Sequence, residues 1–295
     1  MRVCVLLISW PKLYWIAKND IIFGLPGDGI NGFIESLRNR QDKIKFVLVR
    51  HKESAAFMAC AYAKYTGKLG ACVATSGPGA IHLLNGLYDA KADNTPVIAI
   101  TGTTYSDLMN SNYEQDVDLL RLYSDVAVYN TMITSPQQAG MAVDLACRTA
   151  LAHKGVSHIT IPIDIQEMKL KGSKYSRHKV AEHTSDVSVP ITLPDSKLLE
   201  KAANILNSRE KVVILAGQGA LAAGDELVAV AEKLGSPIIK ALLGKAVIPD
   251  DSPLSLGGLG LLGTEPAIDA LWWEHPFHTL IIFQSQDRQK EFKLI

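Results

Sequence analysis

The sequence predicts an α/β protein built as two successive parallel-sheet domains, the second of them cut short. Three features predict it. Short apolar runs alternate with longer helical stretches between residues 21 and 167, and again after 195. Turns bearing Gly and Pro stand where a run ends and a helix begins. A polar stretch rich in Lys, Ser, His and Thr, residues 168–194, has no sustained period and reads as a linker. Alternating strand and helix with short connections implies parallel strands covered on both faces.

In order, a strand ends at Phe23-Gly24 and turns into a helix over Ile30–Arg38. Ile44–Val49 reads as a strand, followed by a helix from about Glu53 to Tyr65 that Gly67 stops. Ala71–Thr75 is a strand, and the Gly-Pro-Gly turn after it opens a helix running towards Ala90. Pro96–Thr101 is the next strand. Ser135-Pro136 predicts a capped helix start, with the helix reaching Ala152, and Ile159–Ile163 closes the set. These elements make a first domain of residues 1–167. Residues 195–295 then supply a helix over Lys197–Asn207, a strand Val212–Ala216, the turn Gly217-Gln218-Gly219 and a helix Asp225–Leu234. A strand near Pro237–Ala241, a helix from Glu265 to Trp273 and a strand Thr279–Phe283 complete it. That gives about three strands, fewer than a sheet of this class usually has.

Composition excludes several functions. The 295 residues carry 30 basic and 30 acidic side chains, so there is no electrostatic footprint for nucleic acid or a membrane surface. Cys4, Cys60, Cys72 and Cys147 lie far apart without metal-ligand spacing, which predicts buried free thiols and a reducing, cytoplasmic setting. Met1–Trp10 is apolar but no small-residue cleavage site follows it, and no stretch is long enough for a membrane-spanning helix.

Three segments carry candidate chemistry. Phe23-Gly24-Leu25-Pro26-Gly27-Asp28-Gly29 brings backbone and a helix N-terminus to the end of a strand. Arg50-His51-Lys52-Glu53-Ser54-Ala55-Ala56 puts ionisable groups at the carboxyl end of a strand, where ligands bind in this architecture. Thr75-Ser76-Gly77-Pro78-Gly79-Ala80 is a second glycine-rich turn, lacking both a Walker lysine and a GxGxxG spacing. Taken singly, each has a plain structural reading: a strand-to-helix turn, a helix-terminal charge at Glu53 favoured by the dipole, a histidine at His82 satisfied within the fold.

Their order and spacing are more specific. Together with Asn85-Gly86-Leu87-Tyr88-Asp89-Ala90 and Pro96-Val97-Ile98-Ala99-Ile100-Thr101-Gly102, they resemble the pyrimidine-binding domain of thiamine-diphosphate enzymes. The nearest branch is pyruvate oxidase and the quinone-linked pyruvate dehydrogenases, with acetolactate synthase slightly further away. Ala202–Thr264, including Asp250-Asp251-Ser252-Pro253 and Gly257-Gly258-Leu259-Gly260-Leu261-Leu262-Gly263, resembles the Rossmann-like central domain of the same proteins. The resemblance covers about residues 21–270.

The resemblance implies decarboxylation of a 2-oxo acid such as pyruvate, in a homo-oligomer whose subunits share each cofactor. It implies that Pro26, Gly27 and Pro78 line the pyrimidine, that Gln115 faces the substrate and that His82 marks the oxidase-type branch. It further implies a glutamate hydrogen-bonded to N1′ of the aminopyrimidine, directly after the histidine of the Arg-His motif. Here that position is Lys52, with Glu53 one residue on and turned by about 100° on a helix. The diphosphate and Mg²⁺ belong to a third domain bearing Gly-Asp-Gly and Asn-Asn. No such pair is found, since Gly27-Asp28-Gly29 already belongs to the first domain, so the thiamine-diphosphate site is partial and the metal site absent. Some family members bind FAD through the central domain; Gly217-Gln218-Gly219 is compatible with an adenine dinucleotide, but its fingerprint is incomplete. Residues 1–20 and those after Leu271 depart from the family pattern. The isolated chain thus reads as an incomplete decarboxylase that needs a partner chain, or as a non-catalytic module that associates with full-length relatives.

Overall fold

The computed structural model describes residues 20–168, 193–209, 211–272 and 278–283. The chain divides into two compact units, Met1–Pro190 and Ile191–Ile295. The linker expected at 168–194 lies almost wholly outside the described residues, as do Cys4 and both chain ends.

Unit one is a six-stranded sheet ordered β2-β1-β3-β4-β6-β5, with every pairing parallel. The strands are β1 Ile21–Gly24, β2 Lys45–Leu48, β3 Gly70–Ala74, β4 Val97–Thr103, β5 Ala127–Met132 and β6 Val156–Pro162. The helices are α1 Asn31–Arg38, α2 Lys52–Thr66, α3 Pro78–Ala92, the short α4 Leu119–Leu122, α5 Ala139–His153 and the short α6 Ile163–Glu167. Strands β3, β4 and β6 are buried along their whole length, the pattern of central parallel strands covered on both faces. One face packs Phe33 and Leu37 of α1 and Ala142, Val143, Ala146, Cys147 and Ala150 of α5. The other packs Ala55, Ala56 and Ala59 of α2 against Leu83 and Leu87 of α3. Those two helices lie unusually close, because a Cβ at Gly86 would stand 2.6 Å from the Phe57 amide nitrogen.

Helix α2 ends as the sequence predicts, at Gly67 in the left-handed region (φ 69°), which costs glycine nothing. The start predicted at Ser135 differs. Ser135 makes no side-chain cap; Pro136–Gln138 forms a 3-10 turn, and Gln138 Oε1 accepts from the Thr134 amide at 2.8 Å instead. Gln138 thus ties the turn back to the chain before it, a different bond from the serine cap the sequence predicts. Ile163, expected in a strand, begins α6, because Pro162 closes β6. Edge strand β5 was not expected: its residues are mostly half-exposed and lack a clean alternation.

Cys60, Cys72 and Cys147 are buried and unpaired. Burial and the Asp89 carboxylate push the Cys60 thiol up to about 11, and burial, followed by the neighbouring Cys60, raises Cys72 strongly, so neither is a reactive thiolate.

Unit two is a parallel sheet ordered β10-β7-β8-β9: β7 Lys211–Ala216, β8 Ile238–Lys240, β9 Ser255–Gly258 and β10 His278–Phe283. Helices α7 Ser196–Asn207, α8 Gly224–Leu234 and α9 Glu265–Trp272 accompany it. Leu227 and Ala231 of α8 cover one face, Ala267 and Ala270 of α9 the other. The sheet has four strands, not about three. The addition is β9, whose Gly257 adopts φ 94° at a register shift against β8; a bulged, glycine-bearing strand gives little periodic signal. Among the described residues no helix is long and apolar enough to cross a membrane.

Candidate functional site

The three candidate segments meet at the carboxyl ends of β1, β2 and β3, the three neighbours on one side of the sheet. The loop after β1 and the turn after β3 pack around one side chain, Thr75. Its Oγ1 accepts the Gly29 amide at 3.0 Å. A Cβ at Gly27 would lie 2.7 Å from Thr75 Cβ, and one at Gly79 would lie 2.5 Å from Thr75 Cγ2. A Cβ at Gly29 would collide with Ser76 Oγ. Gly27 is fully extended, so its requirement is close approach rather than backbone freedom. Gly77 is different: at φ 52° it occupies a region that side-chain-bearing residues avoid, and it turns β3 into α3 with Pro78 at the first helical position. Pro26 and Pro78 are both exposed on the rim.

Gln115 reaches the same turn from far along the chain. It holds φ 60°, and a Cβ at Gly77 would stand 2.8 Å from Gln115 Cβ. Ser76 Oγ donates to Gln115 Oε1 at 2.7 Å, which leaves the amide hydrogens of this exposed side chain directed elsewhere.

Lys52 and Glu53 are the first two residues of α2, and they diverge. The half-buried Lys52 side chain runs to the glycine turn, its Cε 3.8 Å from where a Gly79 Cβ would be. Glu53 goes to the flank of α3 instead. Asn85 Nδ2 donates to Glu53 Oε1 at 2.6 Å, and His51 Nδ1 lies 3.6 Å from Glu53 Oε2. His51 in turn faces His82, ring centroids 4.6 Å apart and planes tilted by 33°. The structure therefore gathers Pro26, Gly27, Lys52, Pro78 and Gln115 around the two glycine-rich turns. It sets Glu53 and His82 beside them, in a cluster with His51 and Asn85. Thr75 as the common packing centre and Asn85 as the partner of Glu53 were not evident from sequence; the first depends on how the loop after β1 packs on the turn after β3, the second on which face of α3 meets α2.

A buried polar chain supports α3 from below. Tyr123 Oη donates to the Ala80 carbonyl at 2.7 Å and stacks on His158, centroids 3.7 Å apart. Asn130 uses its amide to donate to the Leu120 carbonyl, so its Oδ1 accepts from His158 Nδ1, and Thr101 Oγ1 donates to His158 Nε2 at 2.8 Å. Burial pulls the His158 imidazole down to about 3, so it is neutral. The sequence gives no sign of it, since His158 stands just ahead of the expected strand Ile159–Ile163, next to Ser157.

Among the described residues no three His, Cys, Asp or Glu side chains stand together as a metal site would require. In unit two, Gly217-Gln218-Gly219 leads into a single 3-10 turn, and α8 begins only at Gly224, whose Cβ position is 2.7 Å from the Val247 carbonyl oxygen. The direct turn-to-helix form of a dinucleotide fingerprint is not made there.

Comparison with known proteins agrees with this geometry. Residues 17–122 match the thiamine pyrophosphate enzyme N-terminal TPP binding domain, and residues 199–274 match the thiamine pyrophosphate enzyme central domain. The chain is 43% identical over 253 residues to YdaP of Bacillus subtilis, named as a thiamine pyrophosphate-containing protein, covering 85% of this chain and 43% of that protein. It is 33% identical over 252 residues to pyruvate oxidase of Lactiplantibacillus plantarum, covering 85% and 41%. It is 32% identical over 255 residues to the acetolactate synthase large subunit of Corynebacterium glutamicum, covering 85% and 40%. The chain thus spans about two fifths of the length of these relatives.

Proposed function

Because the chain belongs to the thiamine pyrophosphate enzymes through their N-terminal and central domains, we propose that it binds the aminopyrimidine half of thiamine diphosphate, as a protein of the pyruvate oxidase and acetolactate synthase type acting on a 2-oxo acid such as pyruvate. The observation that carries this reading is the cradle around Thr75, where Gly27, Gly29 and Gly79 lack side chains because the two loops share one volume. In this reading a flat ring lies against the two turns that carry the exposed Pro26 and Pro78, with Gln115 on the substrate side and His82 at the flank.

When bound, thiamine diphosphate supplies the electron sink for decarboxylation. Lys52 stands at the position of the family's activating glutamate. An ammonium donates hydrogen bonds and accepts none, so Lys52 can bond to a ring nitrogen but cannot stabilise a proton there. Glu53 is held by Asn85 and points away from the turn. In this reading the diphosphate and Mg²⁺ are met by a second polypeptide, and the setting is the reducing cytoplasm that suits three unpaired buried thiols. The turn after β7 does not lead directly into a helix, and no flavin step enters this reading.

Isothermal titration with thiamine diphosphate and Mg²⁺ tests the proposal, with the chain alone and mixed with a relative that carries the remaining domain. Saturable binding in either mixture is expected. Heat at the level of the buffer blank in both would sink it.

A second reading is a non-catalytic module that associates with full-length relatives. The direction of Lys52 favours it, and so do Phe57 and Met58 of α2 and Ile81 and Tyr88 of α3, large apolar side chains left exposed on two helices that are apolar on nearly every side. Steady pyruvate consumption by the purified chain would refute it.

A further inference from the structure

The two ligand-facing loops share an anchor that no motif announces. Helix α6, five residues long, follows β6 directly and presents two polar side chains in opposite directions. Gln166 is 2% exposed and its carboxamide is fully used. Nε2 donates to the Gly29 carbonyl at 2.8 Å and to the Ile161 carbonyl at 3.0 Å, while Oε1 accepts the Phe33 amide at 3.2 Å. Gly32 is tied to the same side chain, since a Cβ there would lie 2.8 Å from Gln166 Cβ. Gly29 is consequently held from both sides, its N–H by Thr75 and its C=O by Gln166.

Two residues earlier, Asp164 turns the other way. Oδ1 accepts the Ser106 amide at 2.9 Å and Oδ2 accepts the Ser106 hydroxyl at 2.6 Å. Ser106 opens the loop after β4 that carries Gln115 to the Gly77 turn, a loop with three non-glycine residues at positive φ: Asn110, Asn112 and Gln115. Such backbone persists only where its surroundings over-determine it. The loop has two described side-chain anchors, Asp164 on Ser106 at its start and Ser76 on Gln115 near its end.

We infer that Asp164 and Gln166 are positioning residues, a two-sided clamp through which α6 sets the Pro26–Gly29 loop and the Gln115 loop in register around the cradle. Neither touches the ligand; Gln166 acts through Gly29 and Asp164 through Ser106. The inference rests on the proposed aminopyrimidine site for its purpose, but the clamp itself can be measured without any ligand.

Amide hydrogen exchange on the full chain, read by mass spectrometry, separates a clamp from a general support. In Gln166→Met, exchange over residues 28–33 is expected to rise about tenfold while the β3 and β4 amides are unchanged. In Asp164→Asn the same rise is expected over residues 105–117, with 28–33 unaffected. Gln166→Asn keeps a neutral carboxamide but is one methylene too short to reach Gly29 and Phe33 together, so it serves as the milder variant if the Met variant does not fold. No change at the named residues, or a uniform rise throughout, overturns the inference. Thiamine diphosphate titration is the second readout. If the wild-type chain binds it and Gln166→Met or Gln166→Asn loosens residues 28–33 without weakening binding, the positioning role is wrong. If the wild-type chain binds nothing, the ligand assignment fails, and the exchange pattern alone decides the clamp.

Discussion

The side-chain amide of Asn85 donates a 2.6 Å hydrogen bond to Glu53, and this contact fixes the direction of the carboxylate next to Lys52. Lys52 is left as the group that reaches the glycine turn, although the two residues are neighbours. Successive helix positions project about 100° apart. The identity of the residue directly after His51 therefore decides which side chain reaches the glycine turn.

Lys52→Glu is accordingly expected to raise pyruvate consumption by about 10²–10⁴ when the chain is mixed with a polypeptide carrying the diphosphate domain. Asn85→Leu, which releases Glu53 without changing Lys52, is expected to leave turnover at its starting level. A coupled assay for pyruvate loss compares them directly; recovery by the Asn85 variant would show that Glu53 can swing into place.

Gly77→Ala is expected to cost about 1–3 kcal/mol, because it puts a side chain at φ 52°. Its methyl group would also press on Gln115 Cβ, so thiamine diphosphate binding should weaken together with stability. Urea unfolding and calorimetric titration give the two numbers. Gly67→Ala, also at positive φ but with open space around it, is the control that should lose stability alone.

Gly86→Ala tests the close approach of α2 and α3. Alanine is about 1 kcal/mol better than glycine inside a helix. Here its methyl would meet the Phe57 amide nitrogen at 2.6 Å and Ala56 Cβ at 2.7 Å. The clash should outweigh the propensity gain, for a net loss of about 1–3 kcal/mol. A thermal melt that moves upward would contradict this.

His158 gives the fold an acid-side weakness. Burial holds its folded-state value near 3, below the ordinary 6.5, so the folded protein keeps the ring neutral where the unfolded chain protonates it. Its contribution is therefore complete above about pH 6.5 and is lost progressively as the pH falls towards 3, by about 1.4 kcal/mol per unit. Unfolding free energies measured at pH 7.5, 5.5 and 4.5 should show that slope. His158→Phe, which keeps the stack on Tyr123, should flatten it.

Much of this fold is legible in the sequence because its central strands are buried on both faces. Gly70–Ala74 and Val97–Thr103 need apolar or small residues throughout and so read as unbroken runs. The turns are legible for a different reason: Gly67, Gly77 and Pro78 are backbone requirements, visible one residue at a time. What could not be read were relationships set by packing between distant segments. Edge strand β5 is half-exposed and lacks the run. Strand β9 is interrupted by its own glycine. The Asn85–Glu53 bond depends on the rotation of α3 about its axis, and the grip of Gln166 on Gly29 spans 137 residues. A glutamine at the end of a short helix carries no signal until the neighbouring backbone is known.

The crowding around Thr75 has one more consequence. Gly27, Gly29 and Gly79 are pressed against that side chain and its neighbour, so the cradle has a fixed shape before any ligand arrives. A molecule entering it finds no loop to order, and the entropy of arranging the site is spent during folding instead of binding. If the proposed site is right, recognition at this half should resemble a key meeting a rigid mould, the missing β-carbons serving the contact between the two loops rather than making room for the ring.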